Sequence, residues 1–552
     1  MSQAAWNTVT GQGTAAEFEL SFGCPDEVAY AAAVEELVAD RVASRIGAQD
    51  PTLWGSEAEE ESSRRLGWVA LPETSRPLVT EVAALQVELR ENGLARIVLC
   101  GMGGSSLAPE VICRAAGVEL VVLDSSDPDF VRTALEDRLG ETVVVVSSKS
   151  GGTVETDSQR RAFEKAFRDA GIDPAQRIVV VTDPGSPLEK ESREAGYRVF
   201  LADPTVGGRY SALTAFGLVP SGLAGADISS LLDEAEAIRP VLEADSPDNP
   251  GLRLGALLGL ANKHGVDKLV LADAGSAYPG LGDWAEQLVA ESTGKDGQGI
   301  LPVVVGATDA PDFDPSTPDE ILVTYGPELV FDRVRPASSF GATVDARLGA
   351  HLLLWEHATA VAGRIIGINP FDQPDVESAK EAARSMLDGG GSSPAPAFVD
   401  GAVTVYASDG WIPDGTATVA DAVTALLDQL DGQQGYVSVQ AYLDRHRDAA
   451  LEGARDDLAR RTGRPVTFGW GPRFLHSTGQ YHKGGPATGV YLQVTGQPEA
   501  DLAVPDRSFT FHEFLTAQAV GDGQVLAEKG RPVLRLHVSG PGDLVALREV
   551  LA

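Results

Sequence analysis

VVVVSSKSGGTVET, residues 143–156, decides the fold. Four consecutive valines, with no polar residue to mark a wet face, read as a strand buried on both sides, as strands of parallel sheets are. The strand runs straight into hydroxyls: Ser147, Ser148, Ser150, Thr153 and Thr156. Lys149 adds a positive charge, and Gly151 and Gly152 let backbone amides approach a ligand closely. At the carboxyl end of a parallel strand, opening into a helix, this composition suits a phosphate monoester.

The same rhythm extends to either side. Apolar runs at Ile97–Cys100, Val118–Leu123, Val143–Val146, Ile178–Val181 and Val199–Leu201 alternate with polar helical stretches, the pattern of a doubly wound parallel sheet. Helical patterning over Leu231–His264 leads to a second set, Leu269–Ala272, Leu301–Val305 and Ile321–Thr324. An apolar helix is expected at Leu348–Ile366 and a shorter one at Val376–Leu387, before a linker at Asp388–Pro396, DGGGSSPAP. Beyond it, Val403–Tyr406, Tyr436–Val439, Tyr491–Val494 and Val533–His537 are strand-like. The expected class is α/β: two doubly wound parallel-sheet domains (76–240 and 241–387), a helical N-terminal segment (1–75) and an additional α/β C-terminal region (397–552).

Composition sets bounds on function. At 552 residues the chain has room for two or three domains. A net charge of −36 argues against a broad nucleic-acid or anionic-membrane surface, so an anion would need locally placed Arg and Lys. Cys24, Cys100 and Cys113 show neither pairing nor metal spacing and read as buried thiols of a reducing compartment. No secretory leader or membrane-spanning apolar run is legible, which points to the cytoplasm.

Gly101–Ser106, GMGGSS, follows the first strand, and Asp124 ends the next, as in a dinucleotide fingerprint. Ser106 stands where the third glycine belongs, however. Two hydroxyl-bearing loops on neighbouring strands favour one compact phosphate over an extended cofactor. GMGGSSLAP, SSKSGGTVET and TDPGSPL (Thr182–Leu188) together resemble the sugar isomerase (SIS) domain, an α/β fold that grips phosphosugars. GGRYS (Gly207–Ser211), EQLVAESTGK (Glu286–Lys295) and INPFDQPDVESAK (Ile368–Lys380) narrow the resemblance to the phosphoglucose isomerase (glucose-6-phosphate isomerase) family.

That resemblance implies an aldose–ketose isomerase of glycolysis and gluconeogenesis that interconverts glucose 6-phosphate and fructose 6-phosphate through an enediolate. It implies no cofactor and no metal, and a homodimer as the usual assembly. Gly104 and Ser105 would lie near the phosphate, and Ser148, Ser150 and Thr153 would bind it with Lys149 alongside. Glu291 would be the base, with Gln287 one turn earlier on the same helix face. Carbonyls at the helix end are expected to raise its pKa. Arg209 would stabilise the enediolate from an open cleft, and Lys380 would assist ring opening. By residue type alone, Glu291 reads as a solvated helix-end glutamate and Arg209 as a surface arginine. Glu356, within LLLWEHATAV, is costly to bury unless paired, and a functional or salt-bridged role is expected. The ring-opening histidine is assigned to His476 in FLHSTGQYHKGG, with Gln480 beside it and His482 as local competitor. Placing the histidine after the lysine departs from common members of the family. It most resembles the isomerase half of actinobacterial transaldolase/phosphoglucose isomerase fusions, although no eightfold βα repeat precedes the motifs and a stand-alone isomerase is expected.

Overall fold

A computed structural model describes residues 7–11, 16–328, 330–332, 335–387, 394–408, 410–540 and 542–552. The chain enters as an antiparallel hairpin, β1 (Asn7–Gly11) and β2 (Phe18–Gly23). Helices at Glu27–Ala39, Val42–Gly47 and Arg76–Glu91 follow. The first sheet is wholly parallel: β3 (Arg96–Gly101), β4 (Val121–Leu123), β5 (Thr142–Ser147), β6 (Ile178–Thr182) and β7 (Arg198–Leu201), in the order β4-β3-β5-β6-β7. Every residue of β3 and β5 is buried, because helices cover both faces. Strand order reverses between β3 and β5, which pair directly with Gly101 opposite Ser147. The two polar loops that follow these strands therefore lie side by side at a topological switch point, where α/β sheets form ligand crevices.

The second sheet contains β8 (Lys268–Asp273), β9 (Leu301–Val305), β10 (Glu320–Tyr325) and β11 (Gly341–Ala346), all parallel. The N-terminal hairpin completes its edge, giving β1-β2-β11-β10-β8-β9. The first 75 residues are thus not only helical, and their hairpin belongs to a sheet assembled some 250 residues later. Helix Leu348–Ile366 is buried around nearly its whole circumference, packed against Pro250–Lys263 and Ile228–Leu242, which explains its unbroken apolar sequence.

The C-terminal region forms a third sheet with its own core: β12 (Phe398–Asp400), β13 (Val403–Ala407), β14 (Tyr436–Tyr442), β15 (Val466–Trp470), β16 (Gly489–Gly496) and β17 (Val533–Val538), ordered β12-β13-β17-β16-β14-β15. Most strand runs read from sequence have a counterpart here. The run from Val118 shortens to Val121–Leu123, and β1, β2, β11, β12 and β15 had no expectation. GATVDA (β11) carries too few large apolar residues to stand out before its neighbours cover it, and Gly469 breaks the short run of VTFGW (β15). Of the linker expected at 388–396, residues 388–393 lie outside the described residues. Among the described residues no helix is long and apolar enough to cross a membrane. Cys24, Cys100 and Cys113 are buried free thiols, and burial raises the Cys24 pKa to about 11.

Candidate active site

The loop after β3 turns tightly through Gly103–Ser105. Gly103 has φ +55°, and a Cβ there would come within 2.7 Å of the His476 carbonyl oxygen and 2.8 Å of Gln287 Nε2. A Cβ on Gly104 would lie 1.9 Å from the Gly208 carbonyl oxygen, so only glycine lets the GMGGSS and GGRYS loops touch. Ser211 secures that approach by donating to the Gly104 carbonyl at 3.2 Å.

The loop after β5 folds on itself. Ser148 Oγ accepts from the Gly151 amide at 3.1 Å and lies 3.3 Å from Thr153 Oγ1, while Ser150 Oγ accepts from the Gly152 amide at 3.2 Å. Thr153 holds the N-cap position of helix Val154–Asp169 without a side-chain capping bond, so the first-turn amides lack that partner. Lys149 reaches away, pairing with Asp183 at 2.7 Å and donating to the Val206 carbonyl at 2.9 Å. Its charge is already matched by a carboxylate, contrary to a lysine standing open beside the phosphate loop.

A 230 Å³ cavity opens over this loop, lined by Ser150, Thr153, Glu155, Lys380, His476 and Gln518 among others. His476 arrives on the short turn Arg473–His476, carried into the cleft by the loop that follows β15 of the third sheet. Its Nε2 lies 3.0 Å from Glu155 Oε1, and Gln518 Nε2 donates to the same oxygen at 2.7 Å. Burial works to raise the Glu155 pKa, but His476 and Lys380 outweigh it and hold the carboxyl below its ordinary value. Glu155 and Gln518 were not singled out in the sequence. Glu155 sits inside the decisive stretch, yet its partner lies 321 residues away, beyond any spacing rule. Lys380, on helix Val376–Leu387, faces the cavity with its ammonium 2.9 Å from Glu377.

Glu291 and Gln287 lie behind His476 on helix Leu281–Thr293. Gln287 Nε2 donates to the His476 carbonyl at 2.8 Å and stands 3.4 Å from Glu291 Oε2. Burial raises the Glu291 pKa, while Arg209, His476 and Lys380 pull it down. Desolvation, rather than the helix-end carbonyls, is therefore the leading cause of the rise. Arg209 is 3% exposed and not open in a cleft. It donates to Ser292 Oγ at 2.8 Å, Gln373 Oε1 at 2.7 Å and the Pro370 and Asp372 carbonyls at 2.8 and 2.9 Å, with Nη1 3.6 Å from Glu291. Lys295, quoted in a motif but given no role, binds the same loop through Asn369 O and Asp372, and burial lowers its pKa to about 8.

Two expectations need correction, and the competing histidine lies away from the cavity. Gln480 is not aimed at His476; it holds the Asp375 amide at 2.9 Å and the Gly294 carbonyl at 2.8 Å. His482 is walled in by Tyr436, Tyr491 and Phe474, and burial drives its pKa far down, so His476 is the histidine at the cavity. Glu356 has no ion pair: both carboxylate oxygens lack a partner among the described residues, and burial raises its pKa well above the ordinary carboxylate range.

No protein-family model matches the chain. A protein of Haloarcula marismortui named probable glucose-6-phosphate isomerase is 28% identical over 340 residues, spanning 53% of this chain and 78% of its own length. A glucose-6-phosphate isomerase of Gloeothece citriformis is 30% identical over 355 residues, spanning 53% of this chain and 66% of its own. Among solved structures, a hypothetical protein of Thermus thermophilus superposes with a TM-score of 0.54 at 26% identity, over 64% of this chain and 94% of that one. A glucose-6-phosphate isomerase of Chlamydia trachomatis superposes with a TM-score of 0.55 at 20% identity, over 69% and 90%. In sequence this chain resembles the glucose-6-phosphate isomerase family, and its fold is an α/β architecture of mainly parallel sheets, shared over 69% of the chain with the Chlamydia trachomatis structure.

Proposed function

We propose that this chain is a glucose-6-phosphate isomerase, converting D-glucose 6-phosphate and D-fructose 6-phosphate reversibly through an enediolate. The observation that carries the reading is convergence on one cleft. Phosphate-loop hydroxyls, a carboxylate-held histidine and a lysine line one cavity, and a desolvated glutamate with a buried arginine lies directly behind. The similarity to proteins of that name supports it.

In this reading Ser150, Thr153 and the amides opening helix Val154–Asp169 hold the phosphate, with Ser148 fixing the loop and Gly104 and Ser105 forming the opposite rim. Ring opening takes the proton from the anomeric hydroxyl and places one on the ring oxygen as its bond to C1 breaks, and His476, its imidazole fixed by Glu155, carries these transfers with Lys380 of the same cavity assisting at the ring oxygen. Glu291 takes the C2 proton and returns it at C1. Its raised pKa makes it a better base than a solvated glutamate. Arg209, whose donors are engaged within the protein, supplies positive charge beside Glu291 and holds the Pro370–Gln373 loop in place. Gln287 positions both Glu291 and the His476 backbone. No step needs a redox cofactor. The enzyme acts in the cytoplasm as a homodimer, and mannose 6-phosphate is a secondary substrate wherever the pocket tolerates the C2 epimer.

The test is conversion of fructose 6-phosphate to glucose 6-phosphate by the full chain, read with a coupled dehydrogenase. Glu291→Gln is expected to lower kcat by about 10²–10⁴-fold while phosphosugar binding persists. A wild-type chain that binds fructose 6-phosphate tightly but never turns it over would overturn the reading, leaving a phosphosugar-binding protein.

A further inference from the structure

The third sheet breaks its own apolar alternation along one line. Tyr406 of β13, Arg535 of β17, Gln493 of β16 and Gln440 of β14 are register partners across four adjacent strands, forming a polar row on one face. Helix Phe511–Glu528 covers that face. Two members of the row are satisfied within it. Gln493 Nε2 donates to Gln440 Oε1 at 3.1 Å and approaches Asp522 at 3.4 Å, and Asp522 is paired with Lys483 at 2.5 Å.

Arg535 is the exception. It is 8% exposed and stacks its guanidinium 4.2 Å from the Tyr406 ring centroid. Among the described residues it has neither a carboxylate partner nor a side-chain hydrogen bond. Burial lowers its pKa below the ordinary guanidinium value, and Tyr406 and Tyr442 offset that only in part. A buried, unpaired charge is costly, and native proteins meet that cost with a counter-ion.

The guanidinium borders a 370 Å³ cavity. Val520, Ala527 and Val533 give it apolar walls. Ser408 Oγ accepts from Trp411 Nε1 and the Val533 amide, which leaves its own hydrogen free to donate into this space. Stacking covers the face of the guanidinium and leaves its edge for a planar, bidentate acceptor. One guanidinium with apolar walls suits a monoanion with a hydrocarbon body better than a phosphate dianion, which gathers several cations and amides. The site is separate from the cavity at His476. Phe514 and Gln518 face that cavity, whereas Val520, Gly523, Gln524 and Ala527 of the same helix face this one.

We propose that this cavity binds a small organic carboxylate, its charged end paired with Arg535 and its apolar body against Val520, Ala527 and Val533. The experiment is calorimetric titration of the full chain with benzoate, with the neutral isostere benzamide and with inorganic phosphate. The expected result is saturable benzoate binding that weakens about tenfold or more in Arg535→Met, with benzamide no better than that variant. Ala527→Leu, which fills the cavity and keeps the arginine, is expected to abolish binding. Thermal melts of both variants establish that they fold. Equal benzoate affinity in wild type and Arg535→Met, or no saturable binding in the wild type, overturns the site. Binding of inorganic phosphate with none of benzoate overturns the carboxylate assignment.

Discussion

At 3.0 Å from His476 Nε2, with Gln518 donating to the same oxygen, the Glu155 carboxylate fixes both the ring's orientation and its tautomer. A ring that donates from Nε2 to the carboxylate leaves Nδ1 as the atom to move a proton in the proposed reaction. Glu155→Gln keeps the size but can offer the ring an amide donor instead of an acceptor. It is expected to lower kcat by about 10²-fold with little change in KM for fructose 6-phosphate. A variant with unchanged kcat and a raised KM would show that Glu155 serves binding, not proton transfer. At this scale sequence reasoning was uneven. Glu291, Arg209, Lys380 and His476 were legible as motif members, but what surrounds each was not. Arg209 was expected open and is saturated, and Glu356 was expected paired and is alone. Residue identity states what a group can do, whereas its pKa and its partners depend on what packs against it.

Among the elements, β10 carries a liability at its first residue. Glu320 is 2% exposed, one carboxylate oxygen has no partner among the described residues, and burial next to Asp312 and Asp319 raises its pKa to about 9. In the unfolded chain the carboxyl ionises near its ordinary 4.5. Between those pH values the unfolded state releases a proton that the native state retains, so stability falls as pH rises through that window. Glu320→Gln cannot ionise. Its melting temperature relative to wild type is therefore expected to be distinctly higher at pH 8 than at pH 5. A shift of equal size at both pH values would rule out ionisation as the cause. Elements with strong apolar runs, such as β5 and helix Leu348–Ile366, were readable because burial on all sides removes the need for polar residues. Edge strands β1 and β12 were not, since they bury little and pair only within their own hairpins, and β2 finds its second partner, β11, far along the chain.

Across the whole molecule, a buried charge cluster ties the three sheets together. Arg473, on the turn that presents His476, binds Glu110 at 2.7 Å and Asp124 at 3.0 Å from the first sheet's layer and lies 3.8 Å from Asp283 beside the second. Arg445 from the third binds Glu110 as well, at 2.9 Å. Burial alone would raise the Glu110 pKa, but Arg473 and Arg445 outweigh it and leave the carboxyl strongly depressed. Removing one partner from such a cluster strands the other charges. Arg473→Met is expected to cost about 3–5 kcal/mol in denaturant unfolding and to displace His476, lowering activity in the material that stays folded. Loss of activity without loss of stability would place Arg473 in the chemistry and not in the joint between domains. The native stability that Glu110 supplies is present above its unfolded pKa and lost as pH falls toward its depressed folded value.

The sequence by itself determined the α/β class, the two glycine- and hydroxyl-rich loops after strands, and the residues proposed for the chemistry, because these depend on short-range periodicity and local composition. Only the tertiary structure decided that Glu155 would meet His476, that His476 and not His482 would reach the cavity, and that Lys149 would turn to Asp183. It also decided that Arg535 would be buried without a partner among the described residues. Each of these outcomes depends on which segments, hundreds of residues apart, are packed together, and burial then sets the charge state and reach of a side chain that its own neighbours in sequence leave open.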